Sequence, residues 1–170
     1  EKPKITSREE ETLAFKKVAA KRDKMFKLFF ASSKQDIYLL QEVGRNLDRV
    51  QSWFADGKYG FIHDKEDSAI VYSLSRFELL EARTVANQIH SSVLLKDKKS
   101  GLIIQALSTH LTGCDKHTPR PEEALPGNTQ LASFLATSFN RKANIHILGA
   151  DFNTSPRYQE RIKIAAKLGF

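Results

Sequence analysis

Three apolar segments of this sequence each end in side chains that a hydrocarbon core rejects. Ile37-Tyr38-Leu39-Leu40 runs into Gln41-Glu42, a second segment closes on Ser108-Thr109-His110, and Ile145-His146-Ile147-Leu148-Gly149-Ala150 runs into Asp151-Phe152-Asn153. Burying an unpaired carboxylate costs roughly several kcal/mol, so Glu42 and Asp151 must reach water, a cation or a donor, and one shared metal site would serve both. Oxygen ligands of this kind suit Mg²⁺ or Mn²⁺, which take a carboxylate or two, keep waters and bridge to phosphate oxygens; zinc fits the set poorly. Taken singly, each residue also has a purely structural role open to it. Glu42 can end a strand in a salt bridge, His110 can be a hydrogen-bonded core histidine, and Asp151 with Asn153 can shape a turn. Only their joint recurrence at strand ends favours a site, since ligands in layered sheets commonly sit just past the strand termini.

The elements that must position these residues follow from periodicity. Ser7 as N-cap with Glu10 three places on opens an amphipathic helix, along which Phe15, Val18, Met25, Phe26 and Phe29 recur at helical spacing while Lys16, Lys17, Lys21, Lys24 and Lys27 take mostly other faces, read as a solvent face. The run Asp36–Val43 is too short for a buried helix and reads as a strand covered on both faces. Leu47, Val50, Trp53 and Phe54 give a short helix closed by Asp56-Gly57. Strands are expected over Tyr59–Ile62, Ser68–Ser73, Arg76–Arg83, Ser91–Leu95 and Leu102–Thr109, with a hairpin turn at Lys98-Lys99-Ser100-Gly101. Thr112 to Gly127, with three prolines and two glycines, reads as a long surface loop; a helix then covers about Asn128 to Asn140, a buried strand Ala143–Leu148, and Ser155-Pro156 opens a last helix. The capped start without Met and the closing Gly169-Phe170 read as cut ends.

At 170 residues the chain is expected to form one domain, long enough to bury about 70% of its unfolded surface. Hydrophobic residues at 41% and charged residues at 28%, with 8 Gly and 5 Pro, exclude a disordered or collagen-like chain. No apolar run approaches the ~20 residues of a membrane span. The single cysteine, Cys114, excludes an intramolecular disulfide or a cysteine zinc cage and fits a reducing, intracellular address, cytoplasmic or nuclear. With no base beside it in sequence, it reads as a spectator thiol. Lys plus Arg exceed Asp plus Glu by 7, which draws phosphate-bearing partners or marks no more than a solvated basic face. His63, His90, His117 and His146 show no mutual spacing that assembles a metal cage; His146 and Trp53 read as core residues.

At the residues of the opening paragraph the sequence resembles the endonuclease/exonuclease/phosphatase superfamily. Leu40-Gln41-Glu42-Val43 matches its metal-binding Gln-Glu step, Ser108-Thr109-His110-Leu111 its Thr-His-Leu step, and Gly149-Ala150-Asp151-Phe152-Asn153 its Gly-Asp-Phe-Asn signature with Ala150 inserted. Within it, Ser68-Ala69-Ile70-Val71-Tyr72, Arg76-Phe77-Glu78-Leu79, Ala86-Asn87-Gln88 and Asn153-Thr154-Ser155-Pro156 look most like the nocturnin and deadenylase branch. The resemblance implies a layered α/β sandwich of mixed, mostly antiparallel sheets flanked by helices. It implies a Mg²⁺-dependent (or Mn²⁺-dependent) phosphoesterase acting on RNA 3′ ends, or alternatively on a dinucleotide such as NADP(H). It further implies Glu42 as the metal ligand and Asp151 as the group that orients or deprotonates the attacking water. Asn153 would hold the scissile phosphate, His110 would stabilise its developing charge, and Asn87 would touch substrate. The first strand with its Asn and the C-terminal Asp-His region of that superfamily are not in residues 1–170, Ser68 stands where a Gly is usual, and Gly127 stands where an Arg often precedes the helix that holds Gln130. The chain therefore reads as a partial domain, with a non-catalytic binding module as the further alternative.

Overall fold

A computed structural model describes residues 8–33, 35–64, 67–84, 90–111, 121–153 and 159–170. Contacts divide the chain into two compact units, residues up to 34 and residues from 35 onward. The first holds one helix, α1 (Arg8–Ser32), in which Lys27 pairs with Asp23 one turn earlier and the Phe29 and Phe30 rings meet edge to face.

The second unit is built on two sheets. β1 (Ile37–Leu40), β2 (Tyr59–His63) and β3 (Ala69–Ser73) form an antiparallel sheet in the order β1-β3-β2. A single 3₁₀ turn (Gly44–Asn46) and α2 (Leu47–Ser52) connect its first two strands. The other sheet runs β4 (Phe77–Thr84), β5 (His90–Asp97), β6 (Ile103–His110) and β7 (Ile145–Asp151) in that order, antiparallel except for β6 and β7. Parallel neighbours need a long crossover, and α3 (Pro121–Ser138) supplies it before α4 (Glu160–Lys167) closes the unit.

Alternation along β5 and β6 sorts their side chains into two cores. Val93, Leu95 and Ala106 face the first sheet, joining Ile70, Tyr72 and Phe77, with Leu39 and Ile104 packed against them. Leu107 and Leu111 face the helices, meeting Leu131, Phe134 and Leu135 of α3 and Ala165 of α4. Both faces are covered, which is why Ser91-Ser92-Val93-Leu94-Leu95 is buried throughout. The architecture is thus the expected α/β sandwich with mixed, mostly antiparallel sheets. At the far end, the Arg76 guanidinium donates two hydrogen bonds to the Asp97 carboxylate, 2.7 and 2.9 Å, fastening the β3–β4 turn to the β5–β6 hairpin, whose turn is the expected Lys98–Gly101 segment with Gly101 at φ +75°.

Several boundaries differ from expectation. β1 stops at Leu40 instead of Val43, and β5 runs on from Leu95 to Asp97. α3 starts at Pro121, well before Asn128, and carries Pro126 inside it. A proline there removes one backbone donor, and its sequence signature of a loop conceals a helix that Pro121 opens at a position where no N–H is needed. β7 extends three residues past Leu148 to Asp151, because its pairing with β6 continues to His110. Trp53 is half-buried rather than a core residue, and His146, also half-buried, stacks on Phe139 with centroids 4.4 Å apart. Ser7, Thr154 to Pro156, Asn87, Cys114 and His117 lie outside the described residues.

Candidate active site

The two sheets bring three strand ends to one edge. β1 ends at Leu40 opposite Ala69, where antiparallel β3 begins, so Glu42 and Asp67 emerge at the same place; Val43 N–H donates to Asp67 O at 3.0 Å and closes that corner. Across the sandwich, β6 reaches the same edge through Ser108, whose hydroxyl donates to Leu40 O at 2.9 Å and accepts from Gln41 Nε2 at 3.0 Å. Gln41 is therefore the cross-sheet clamp rather than a group facing solvent. Parallel pairing sets His110 directly beside Asp151, and Leu111 N–H donates to Asp151 O at 3.0 Å.

The side chains then converge. One ligand atom from each of Glu42, His110 and Asp151 lies within 4.8 Å of the other two. His110 Nδ1 contacts an Asp67 carboxylate oxygen. Its Nε2 stands 2.5 Å from the Asn153 amide nitrogen and 3.9 Å from an Asp151 oxygen. Asn153 Nδ2 also donates to Leu111 O at 2.9 Å, and Asp151 Oδ1 accepts from Asn153 N–H at 2.8 Å. With the amide nitrogen of Asn153 facing Nε2, that ring nitrogen accepts, and Nδ1 is the nitrogen whose N–H meets Asp67. A carboxylate behind a histidine is also the arrangement that fixes ring orientation in metal centres.

Among the described residues only Glu42 (φ 58°) and Asn153 (φ 46°) adopt left-handed backbone without being glycine. Such conformations are unfavourable for most side chains, and they persist where surrounding contacts over-determine them, often at functional sites. Both belong to this edge. The mouth is open to solvent: the Asp151 side chain is 42% exposed, while His110 and Asp67 are largely covered at 18% and 24%. Two carboxylates and one imidazole facing the same small space are a donor set suited to a divalent cation.

Asp67 was not among the expected site residues. Its signal is the same as that of Glu42 read in reverse, an acid just before an apolar strand instead of just after one, and antiparallel pairing makes the two equivalent. Behind it, the buried Asp64 carboxylate shapes the loop by accepting from Asp67 N–H at 2.8 Å and from the Ser68 hydroxyl at 2.6 Å, while Ser68 Oγ also lies 3.0 Å from the Ser91 hydroxyl, from which it can accept. Ser68, unusual in place of glycine, is thus engaged on both sides. Asn87, expected to touch substrate, is outside the described residues.

No family model matches the sequence, and no curated protein matches it. Solved structures do. The human nocturnin catalytic domain with bound sulfate superposes with a TM-score of 0.64 at 21% identity, covering 87% of this chain and 63% of that one. D. rerio TDP2 complexed with single-strand DNA product gives 0.64 at 20%, covering 86% and 58%. The endonuclease/exonuclease/phosphatase from Bacteroides vulgatus gives 0.61 at 14%, covering 85% and 61%. The chain has the endonuclease/exonuclease/phosphatase fold. It spans less than two thirds of the length of each of these relatives. The converging edge consists of Glu42, His110, Asp151 and Asn153 together with Asp67.

Proposed function

We propose that this protein hydrolyses phosphate esters with the help of a divalent cation, Mg²⁺ or Mn²⁺, and that its substrate is the 3′ end of RNA. The observation that supports this most is the meeting of Glu42, His110, Asp151 and Asn153, four polar residues from three strand ends, at one open edge. Glu42 and Asp151 would hold the cation through carboxylate oxygens. When bound, the cation would neutralise phosphate oxygens and favour a water as nucleophile. Asp151 Oδ1 is engaged by Asn153 N–H, which leaves Oδ2 to face the cation and orient the water beside it. A phosphate oxygen reaching Asn153 Nδ2 would accept from it and part it from His110 Nε2, and His110, on taking a proton at Nε2, would stabilise the charge that develops while Nδ1 keeps its contact with Asp67. Donors prearranged where negative charge grows are the largest contributors to catalysis of this kind.

A polynucleotide substrate draws support from the DNA product held by D. rerio TDP2 and from the excess of 7 positive charges. The protein incubated with poly(A) RNA and with NADPH, each with Mg²⁺ or a chelator, tests the reading. Cation-dependent shortening of RNA supports it, phosphate release from NADPH alone replaces the substrate with a dinucleotide, and turnover of neither leaves a binding module. Glu42→Ala is expected to abolish cation-dependent activity with the fold retained, and retained activity refutes the metal assignment.

A further inference from the structure

Arg161 is among the most completely buried side chains, 1% exposed, and no step of the proposed hydrolysis uses it. A buried guanidinium is costly unless its donors are engaged, and these are spent on a particular target. Nε–H donates to Asn128 Oδ1 of α3 at 3.0 Å, and Nη1–H donates to the backbone carbonyl of Phe152. That carbonyl belongs to the peptide joining Phe152 to Asn153. The N–H at the other end of the same peptide donates to Asp151 Oδ1. One peptide plane is therefore gripped at both edges, at its oxygen by Arg161 and at its nitrogen by Asp151. Its orientation sets the left-handed φ of Asn153, and through the Asp151 hydrogen bond it also decides which carboxylate oxygen turns toward the open edge.

We propose that Arg161 is a positioning residue: from the second residue of α4 it locks the Phe152–Asn153 peptide, and so holds Asn153 in its left-handed conformation and Asp151 in the orientation that presents Oδ2 to the cation. The proposal rests on the functional reading above only for what Asp151 and Asn153 then do. A guanidinium matches this task because its planar donors have a fixed angle, so α3 and the signature turn, each taking one of them, are held in one geometry.

The test compares wild type with Arg161→Met and Arg161→Lys. Amide hydrogen exchange is followed at Asn153 and at Ile70 and Val71 in the centre of the β3 strand, Mn²⁺ affinity is titrated calorimetrically, and melting temperature is recorded. In Arg161→Met, exchange at Asn153 should rise at least about tenfold more than at Ile70 and Val71, and Mn²⁺ should bind about 10–100-fold more weakly, the loss typical of removing a group that orients ligands. Arg161→Lys, keeping the charge and a single donor nitrogen, should recover part of both, and it carries the test if the methionine variant does not fold. Exchange rising equally at all three amides, or Mn²⁺ affinity unchanged beside a lowered melting temperature, makes Arg161 a packing residue and overturns the proposal. A wild-type protein that hydrolyses neither RNA nor NADPH refutes the proposed function instead, and the exchange measurement still judges Arg161.

Discussion

At Gly149 β7 lies tight against Leu39 of β1 beside the site, and replacing it with alanine separates positioning from stability. A Cβ built on Gly149 would lie 2.5 Å from Leu39 Cβ, 2.8 Å from its Cδ1 and 3.2 Å from its Cγ. Carbon atoms rest at about 3.5–4.0 Å, so β1 and β7 must part by roughly 1 Å or more, and the nearest atom sits next to backbone, where no rotamer change relieves it. Overpacking of this size costs about 1–3 kcal/mol, which at ~2–4 °C per kcal/mol lowers the melting temperature by roughly 2–12 °C. The same displacement moves Glu42, just past β1, away from Asp151, at the end of β7. A misplacement of about 1 Å in a catalytic arrangement costs on the order of 100-fold in rate, so cation-dependent hydrolysis and Mn²⁺ affinity should fall far more than stability does. Gly60→Ala serves as control: its Cβ would stand 2.2 Å from the Tyr72 ring, at the opposite end of the first sheet. It should destabilise comparably and leave Mn²⁺ affinity at the wild-type value. Equal losses of affinity in the two variants, or a Gly149→Ala protein that binds Mn²⁺ normally, would refute the claim that β1–β7 spacing sets the site.

Other outcomes follow from the same structure. Asp67→Asn should reduce cation-dependent turnover about 10–100-fold with little change in melting temperature, since it removes the charged partner of the His110 ring; steady-state kinetics beside a thermal melt check this. Ser68→Ala strips hydroxyl bonds to Asp64 and Ser91 inside a buried loop and should cost about 1–3 kcal/mol, read from urea titrations. Asp97 has its carboxyl held far below the ordinary range, first by the Arg76 hydrogen bonds and then by Ser100. A carboxylate depressed on folding stabilises above its unfolded value, near pH 4, and that contribution is lost as pH falls toward the folded value. Asp97→Asn should therefore melt lower than wild type at pH 7, with the gap narrowing between about pH 4 and pH 2 in a series of melts.

Much of the site was legible because physical chemistry marks it twice. Glu42, His110 and Asp151 break apolar runs, and each break coincides with a strand terminus that the sheet later sets at one edge. Asp67 is not marked in this way, because it precedes its apolar strand instead of ending it, and only antiparallel pairing brings the start of β3 beside the end of β1. Pro126 disguised the first turns of α3, since a missing backbone donor reads as a loop wherever packing is out of view. Arg161 could not be seen at all. A lone arginine on a short helix carries no signature of burial, and acceptors such as Asn128 and the carbonyl of Phe152 become its neighbours only in three dimensions. The left-handed backbone at Glu42 and Asn153 is likewise a product of closure, not of residue type.

The parallel seam between β6 and β7 has a kinetic corollary. His110 and Asn153 are 43 residues apart, and their strands cannot pair until α3 has crossed between them, whereas the β3–β2 and β5–β6 hairpins close over short turns. Long closures are the slow ones. The β6–β7 seam is expected to close late, and a fluorescent or paramagnetic ion added during refolding should then bind only after early collapse; binding as fast as hairpin formation would contradict this.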